Sequence, residues 1–591
     1  MKNFLCILFL SFTIGISAQN PELARKYFDD GEFDKAANEY QLLYNKFPYQ
    51  TTYLTRLIQS YQKAGKFEAV EKLIKKKHPD KQPQLYVWLG YNYQLQKDTI
   101  KAKKYFSKAI AKALQKKFYV YQTGNAFLEI YHLDDAMKLY RVAMKKFPKQ
   151  NYHLQMGQIY AQKNMPEEMT REYLKLLEAQ PGYASRIRYY LTPYIQENYS
   201  TNSEGIKQVI IEEIQKNPNP DFYRLLQWIY IQQKDYRKAF FQLRSLYKKN
   251  EANLSEIYYL AQTAKKNKKT DQARSIYQFL SRQTENPNYQ QLSLLALLEI
   301  KIGDATDTED ISAIDKKFQE YLNEKWLTNN QYKLKILYAD FLAFHLNKDK
   351  KALALLDDLL KNPLSKSLQA QVKMKKADIY LKQKQFNRAL ILYTQVQLDF
   401  PNNEIGYSAT YKIAQASFFK GDIDWAENQL KVLKTLHSDL ISNDAIDLYF
   451  QIINNKEEND STQTGLKKFA QVKFRIFNKN YMGALQILDS LTTNFKGQLI
   501  YDDALWTKAQ TLEKLNRFDE ALETYQTILD YKTEDLYKDD ALFRMAKIYE
   551  TIKENDSKAQ ELYKKIIIEY PASFWFTDAQ RAFRRLRGDD L

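Results

Sequence analysis

Five histidines (His78, His132, His153, His345 and His437) and one cysteine, Cys6, are the residues from which this chain could build a transition-metal site or a nucleophile. No histidine stands four residues from another, so the paired ligands of a helical zinc site are missing. Cys6 lies inside an apolar run at 4–16 that reads as part of a cleaved leader, so the mature chain would hold no thiol for ligation or attack. The sequence holds no P-loop, no GxGxxG turn and no GxSxG elbow, in keeping with only 15 Gly among 591 residues. Carboxylates are plentiful, with 71 Asp and Glu, but they are scattered as helix caps and solvated faces would be. No catalytic site, cofactor or metal is expected, and non-covalent recognition is the chemistry left.

The cations point the same way. Lys and Arg together number 89, giving a formal net charge of +18. Such a surplus is either a solvated coat or an attraction to anionic envelope polymers and lipids. Nucleic acid is not expected as a partner, because no nucleic-acid-binding motif accompanies the charge. Arginine is sparse, yet Arg581, Arg584, Arg585 and Arg587 crowd the end of the chain. Either they suit the negative end of a capping helix or they contact an anion or acidic partner.

The elements that would position these groups follow from periodicity. Low Gly and Pro leave little room for β-hairpins and favour helices joined by short turns. A motif recurs: a small residue, an aromatic three on, Ala twelve on, and a second aromatic four beyond that. Copies include Ala24/Tyr27/Ala36/Tyr40, Gly90/Tyr93/Ala102/Phe106, Gly124/Phe127/Ala136/Tyr140 and Gly157/Tyr160/Met169/Tyr173. Later copies are Ala377/Tyr380/Ala389/Tyr393 and Ala546/Tyr549/Ala559/Tyr563. This pattern resembles the tetratricopeptide repeat family, in which helix–turn–helix units stack through small residues. The resemblance implies an all-α fold: an α-solenoid of about 13 helix-turn-helix repeats forming a right-handed superhelix. The second-helix small positions run Ala36, Val70, Ala102, Ala136, Met169, Ala239, Ala273, Ala352, Ala389, Ala426, Ala484, Ala521 and Ala559.

Steps between those positions divide the chain into a regular array at 19–181, a degenerate middle at 182–365 and a longer-period block at 366–587 with a terminal capping helix. A degenerate unit is expected around 182–218, an internal loop at 303–310, and an extra helix at 443–454 followed by an acidic loop at 456–464. The first 18 residues read as a secretory signal, with Lys2, the apolar run and the small pair Ser17-Ala18 before Gln19. Cleavage there would leave a mature chain without cysteine or transmembrane segment, exported to a periplasm and peripheral to the outer membrane. The pairs Asp502-Asp503 and Asp539-Asp540, each opening a first helix, resemble the BamD-like and YbgF-like repeat proteins of the bacterial envelope. They are expected to cap free amides and to favour the helix dipole.

In tetratricopeptide repeat proteins the ligand-contacting positions lie three before, one after and four after the first-helix small residue. Carried over, these give Tyr91, Gln94, Tyr121, Asn125 and Gln158 in the regular array. In the C-terminal block they give Tyr411, Phe418, Trp506, Gln510, Phe543 and Lys547. The resemblance therefore implies a non-catalytic scaffold that binds a protein or peptide on its concave face, in envelope assembly or secretion. The alternative is a binder of anionic envelope polymer or lipid through the basic surface.

Overall fold

The computed structural model describes residues 21–196, 201–283, 285–305, 307–434, 441–457, 462–531 and 537–589. The expected signal at 1–18, Cys6 and His437 lie outside the described residues. Among the described residues there are 32 α-helices, two short 3-10 turns and no strand. Two compact units divide after Gln233, within the stretch expected as the middle block: Met1–Gln233 and Lys234–Leu591.

One turn geometry accounts for the helix–turn–helix repetition. The residue five before each second-helix small position has a positive φ: Gly31, Gly65, Lys97, Tyr131, Asn164, Lys234, Lys268, Asn347, Lys384, Gly421, Lys479, Asn516 and Glu554. This left-handed residue ends the first helix, and the next amide reaches back to satisfy an orphan carbonyl. Glu32 N–H donates to Tyr27 O at 2.8 Å, Asp98 to Tyr93 at 3.0 Å and Gln385 to Tyr380 at 2.8 Å. Glycine occupies three of the thirteen sites; the others hold Lys, Asn, Tyr or Glu at a steric cost of about 1 kcal/mol each.

Past the turn, packing takes over. All thirteen second-helix small positions are at most 3% exposed. In three repeats of the first unit the aromatic four residues further on lies directly over the first-helix glycine. A Cβ on Gly90 would stand 2.5 Å from the Phe106 ring, on Gly124 2.1 Å from the Tyr140 hydroxyl, and on Gly157 2.2 Å from the Tyr173 ring. Glycine is required there by close approach, not by turn geometry.

The degenerate unit near 182–218 is a helix pair, Ala184–Gln196 with Thr201–Lys216. A second additional pair, Pro287–Asp304 with Thr308–Asn323, fills the long step between Ala273 and Ala352. The extra helix is Ile441–Ile453, and the terminal helix Phe576–Arg587 ends at Gly588 with φ 83°.

Two expectations need correction. Much of the loop expected at 303–310 is helical, because Pro287–Asp304 runs on into it and Asp307 caps Thr308–Asn323, accepting from Asp310 N–H at 2.8 Å. The aspartate pairs sit in the first turns, where the dipole favours them, yet no side-chain cap forms at either helix. Instead the second aspartate of each pair reaches toward the following repeat. Asp503 accepts from Tyr537 Oη at 2.8 Å, and Asp540 from Trp575 Nε1 at 2.6 Å; Asp503 also accepts from Asn455 Nδ2 of the preceding segment at 2.6 Å.

Candidate functional site

In the second unit four first helices, Leu254–Lys266, Pro287–Asp304, Thr328–Phe344 and Lys366–Lys382, line a single cavity of about 810 Å³. Local sequence sets where each begins. Asn253 and Glu256 form a reciprocal capping box, Asn286 caps a helix opening on Pro287, and Ser365 caps the last. Leu327 precedes Thr328–Phe344 without a side-chain cap, and its N–H donates to Gln291 Oε1 at 3.1 Å. Buried Asn330 reinforces that seam, donating to Asn288 at 3.1 Å and to Gln291 at 3.2 Å.

Leucine, isoleucine and tyrosine form the cavity floor. Leu295 and Ile336 are 6% exposed, whereas Tyr259 is 65% exposed. Tyr258 packs edge-on against Tyr277 with centroids 5.8 Å apart, and burial raises its hydroxyl pKa. Lys265, Lys266, Lys333, Lys375, Glu299, Gln262 and Gln371 supply its polar lining with Thr263. Lys265 pairs with Glu299, and Lys375 with Asp340 at 2.8 Å.

The first unit carries smaller concavities of its own. One of about 580 Å³ is lined by Tyr173, Tyr189, Tyr190 and Tyr194 with Gln158, Gln162 and Thr192. Another, of about 150 Å³, lies across Thr51–Lys63, Gln84–Leu95 and Lys117–Glu129. Burial lifts Glu129 beside it above the ordinary carboxylate range, and Gln59 donates to it at 3.2 Å.

Several carried-over positions do reach these surfaces. Gln158 lines the tyrosine concavity, with its amide donating to Tyr190 Oη at 3.0 Å, and Asn125 lines the smaller one. Tyr121 is 51% exposed, Tyr91 is half-buried, and Gln94 is exposed with its carbonyl 2.8 Å from His132 Nε2.

The C-terminal positions are placed differently. Phe418 is fully buried and belongs to the core, not to a groove. Trp506 stacks on Tyr537 at 5.1 Å, and Phe543, 7% exposed, stacks on Trp575 at 4.1 Å. Both serve repeat-to-repeat packing, because the next repeat covers the ring that a ligand would need. Tyr411 is half-buried and accepts from Gln415 at 3.4 Å. Lys547 pairs with Glu550 at 3.2 Å, and Gln510 is exposed.

Of the terminal arginines, Arg585 binds Glu550 of the preceding repeat, Arg581 pairs with Asp578 at 3.3 Å, and Arg587 donates to Asp589 at 2.8 Å. Arg584 is exposed. Pairs at such exposure hold weakly and remain open to competing anions, apart from Arg585, whose Glu550 side chain is only 9% exposed.

The transfer missed the second-unit cavity, although the signal was present. Twelve residues before Ala273 stands Ala261, and positions three before, one after and four after it are Tyr258, Gln262 and Lys265, all lining that cavity. Two of the described histidines serve in side-chain pairs: His153 Nδ1 lies 2.6 Å from Glu172, and His132 Nδ1 lies 3.0 Å from Asp135. Among the described residues no grouping of His, Cys, Asp and Glu could hold a metal, and no helix is long and apolar enough to cross a membrane.

Residues 83–111, 502–535 and 540–573 match tetratricopeptide repeat profiles, so those repeats are present as the small-and-aromatic pattern implied. No curated protein matches the chain. Among solved structures, Naa15/Naa10 bound to HypK-THB is similar at 11% identity, covering 96% of this chain and 93% of that one, with a TM-score of 0.27. The Cut9–Hcn1 hetero-tetramer of APC/C gives 13% identity, 93% and 96% coverage and a TM-score of 0.24. The P58(IPK) TPR domain gives 13% identity, 69% and 98% coverage and a TM-score of 0.18. At such TM-scores none of the three says anything of function or partner here.

Proposed function

We propose that this protein is a non-catalytic, exported repeat scaffold that holds a protein or peptide partner against its first helices, in the assembly or secretion machinery of a bacterial envelope. One observation carries the reading. In the second unit, side chains at ligand-contacting repeat positions, Tyr258, Gln262 and Lys265, line the cavity, whereas Phe418, Trp506 and Phe543 are consumed by packing. Such a surface sums many shallow contacts along an extended or helical segment. The signal-like pattern at 1–18 and the C-terminal resemblance support the envelope setting.

Photo-crosslinking in native cells tests this. A benzophenone side chain replacing Tyr259, inside the cavity, is expected to capture a protein. The same group at Ile391, 58% exposed on the second helix Phe386–Asp399, serves as the control. Equal capture at both sites, or adducts with lipid or polysaccharide alone, overturns the partner reading. Recovered protein should begin at Gln19; a chain retaining 1–18 in the cytosol would overturn export.

A further inference from the structure

We propose that the occupant of the second-unit cavity is an acidic segment of a partner protein, in extended form and carrying bulky apolar side chains. The inference rests on the peptide-binding reading above and narrows it to one chemistry.

Charge is the first argument. Four lysines and a single carboxylate, Glu299, line the cavity. Lys265 engages Glu299, and Asp340 engages Lys375 at 2.8 Å. Among the described residues neither Lys266 nor Lys333 meets a carboxylate in an ion pair. Two cations therefore stand uncompensated beside an apolar floor, where an incoming carboxylate is attracted more strongly than on an open surface. The tyrosine concavity of the first unit, by contrast, has no charged side chain in its lining.

Shape is the second argument. Leu292, Leu295, Ile336 and Leu337 give the floor an apolar strip, and the Tyr259 ring stands beside it. Gln262 and Gln371 supply amides that match the N–H and C=O groups of an extended backbone. Four first helices set about 9 Å apart span about 27 Å, the length of about eight extended residues. An acidic polysaccharide would satisfy the lysines but leave the leucines uncovered, and a flat bilayer does not enter a concave surface.

The test uses the full chain and fluorescein-labelled peptides of about eight residues: alternating Glu and Leu, alternating Lys and Leu, and alternating Gln and Leu. Fluorescence anisotropy should show the Glu/Leu peptide binding best and weakening steeply with salt. The double variant Lys266→Glu/Lys333→Glu should weaken it about tenfold or more, and Tyr259→Ala should weaken it at unchanged salt dependence. Circular dichroism of both variants should match the parent, since neither change touches a core residue. Equal binding of the Lys/Leu or Gln/Leu peptide, or indifference to the double variant, overturns the acidic assignment but leaves a peptide scaffold standing. If none of the peptides binds while phosphatidylglycerol vesicles or alginate do, both this inference and the peptide reading fall.

Discussion

The two units settle the same aromatic in different ways. In three repeats of the first, the second-helix aromatic presses onto a glycine: Phe106 on Gly90, Tyr140 on Gly124, Tyr173 on Gly157. The Tyr140 hydroxyl ends there, buried, without a protein hydrogen-bond partner. In three repeats of the second unit the small residue is alanine, and the tyrosine hydroxyl turns to a carboxylate of the first helix. Tyr393 donates to Asp378 and Tyr563 to Glu550, both at 2.6 Å, and Tyr525 to Glu513 at 2.5 Å. Each carboxylate also meets a cation of the following repeat or cap: Lys412 at 3.3 Å, Arg585 and Arg544. One small-and-aromatic signature thus supports two couplings, steric contact within a repeat and a charged relay between repeats. The relay should make neighbouring repeats of the second unit open together, whereas the first unit should open locally.

Breaking the steric contact gives the largest effect. Gly124→Ala places a methyl 2.1 Å from the Tyr140 hydroxyl in a fully buried site. The better helix propensity of alanine, about 1 kcal/mol, does not offset such overpacking, and a net loss of about 2–3 kcal/mol is expected. Hydrogen exchange should show the loss as faster exchange in Lys117–Glu129 and Leu133–Lys146. The mirror change, Ala509→Gly, should cost less, about 1–2 kcal/mol, from lost helix propensity and the loss of one buried methyl. Equal costs at the two positions would erase the distinction between the units.

Much of this architecture was legible in the sequence because small and aromatic residues recur at fixed offsets. All thirteen second-helix positions were found that way, and each one lies buried. The turns were less legible: most hold Lys, Asn, Tyr or Glu in a conformation normally read from glycine. Contacts between repeats were not legible at all. Asp503 and Asp540 looked like helix caps, and only three dimensions show their donors Tyr537 and Trp575, roughly one repeat downstream. The same contacts withdraw Trp506 and Phe543 from the groove. The cavity was half visible. Ala261 obeys the pattern, but Asp340 stands where Thr328–Phe344 should offer a small residue twelve before Ala352.

Removing one oxygen from each tyrosine sharpens the comparison. Tyr393→Phe leaves Asp378, 7% exposed, with a lost donor, and should cost about 1–2 kcal/mol. Tyr140→Phe removes a hydroxyl that has no protein partner and should be neutral or slightly stabilising. Local hydrogen exchange around each pair reads both values. A cost at Tyr140 matching that at Tyr393 would mean the first-unit hydroxyl is satisfied after all.

Acid should weaken the second unit through His345. Its Nε2 faces Lys479 Nζ, and burial, then the Lys479 charge, lower its pKa from the usual 6.5 to about 4. The unfolded chain therefore binds this proton more readily than the folded one between those values, so stability is full above pH 6.5 and declines as pH falls toward 4. His345→Gln keeps an acceptor for Lys479 and removes the titration. The pH dependence of parent minus variant, read by exchange in Thr328–Phe344 and Thr464–Phe477, should show the decline. A flat difference would deny the shift.

The turns offer the smallest effect and the finest contrast. Lys97 and Lys384 occupy equivalent left-handed sites, at φ 65° and 62°, one in each unit. Glycine at either relieves a steric cost of about 1 kcal/mol, partly offset by the extra freedom it gives the unfolded chain. Lys384 also places its ammonium 6.0 Å from the Phe474 ring, in the cluster joining Phe386, Phe419 and Phe477. Lys97→Gly should therefore stabilise its repeat by about 0.5–1 kcal/mol, whereas Lys384→Gly should gain less, because it surrenders a contact of comparable size. Equal gains would show that the lysine over Phe474 contributes nothing, and that the turns of the two units are energetically alike even where their aromatic contacts are not.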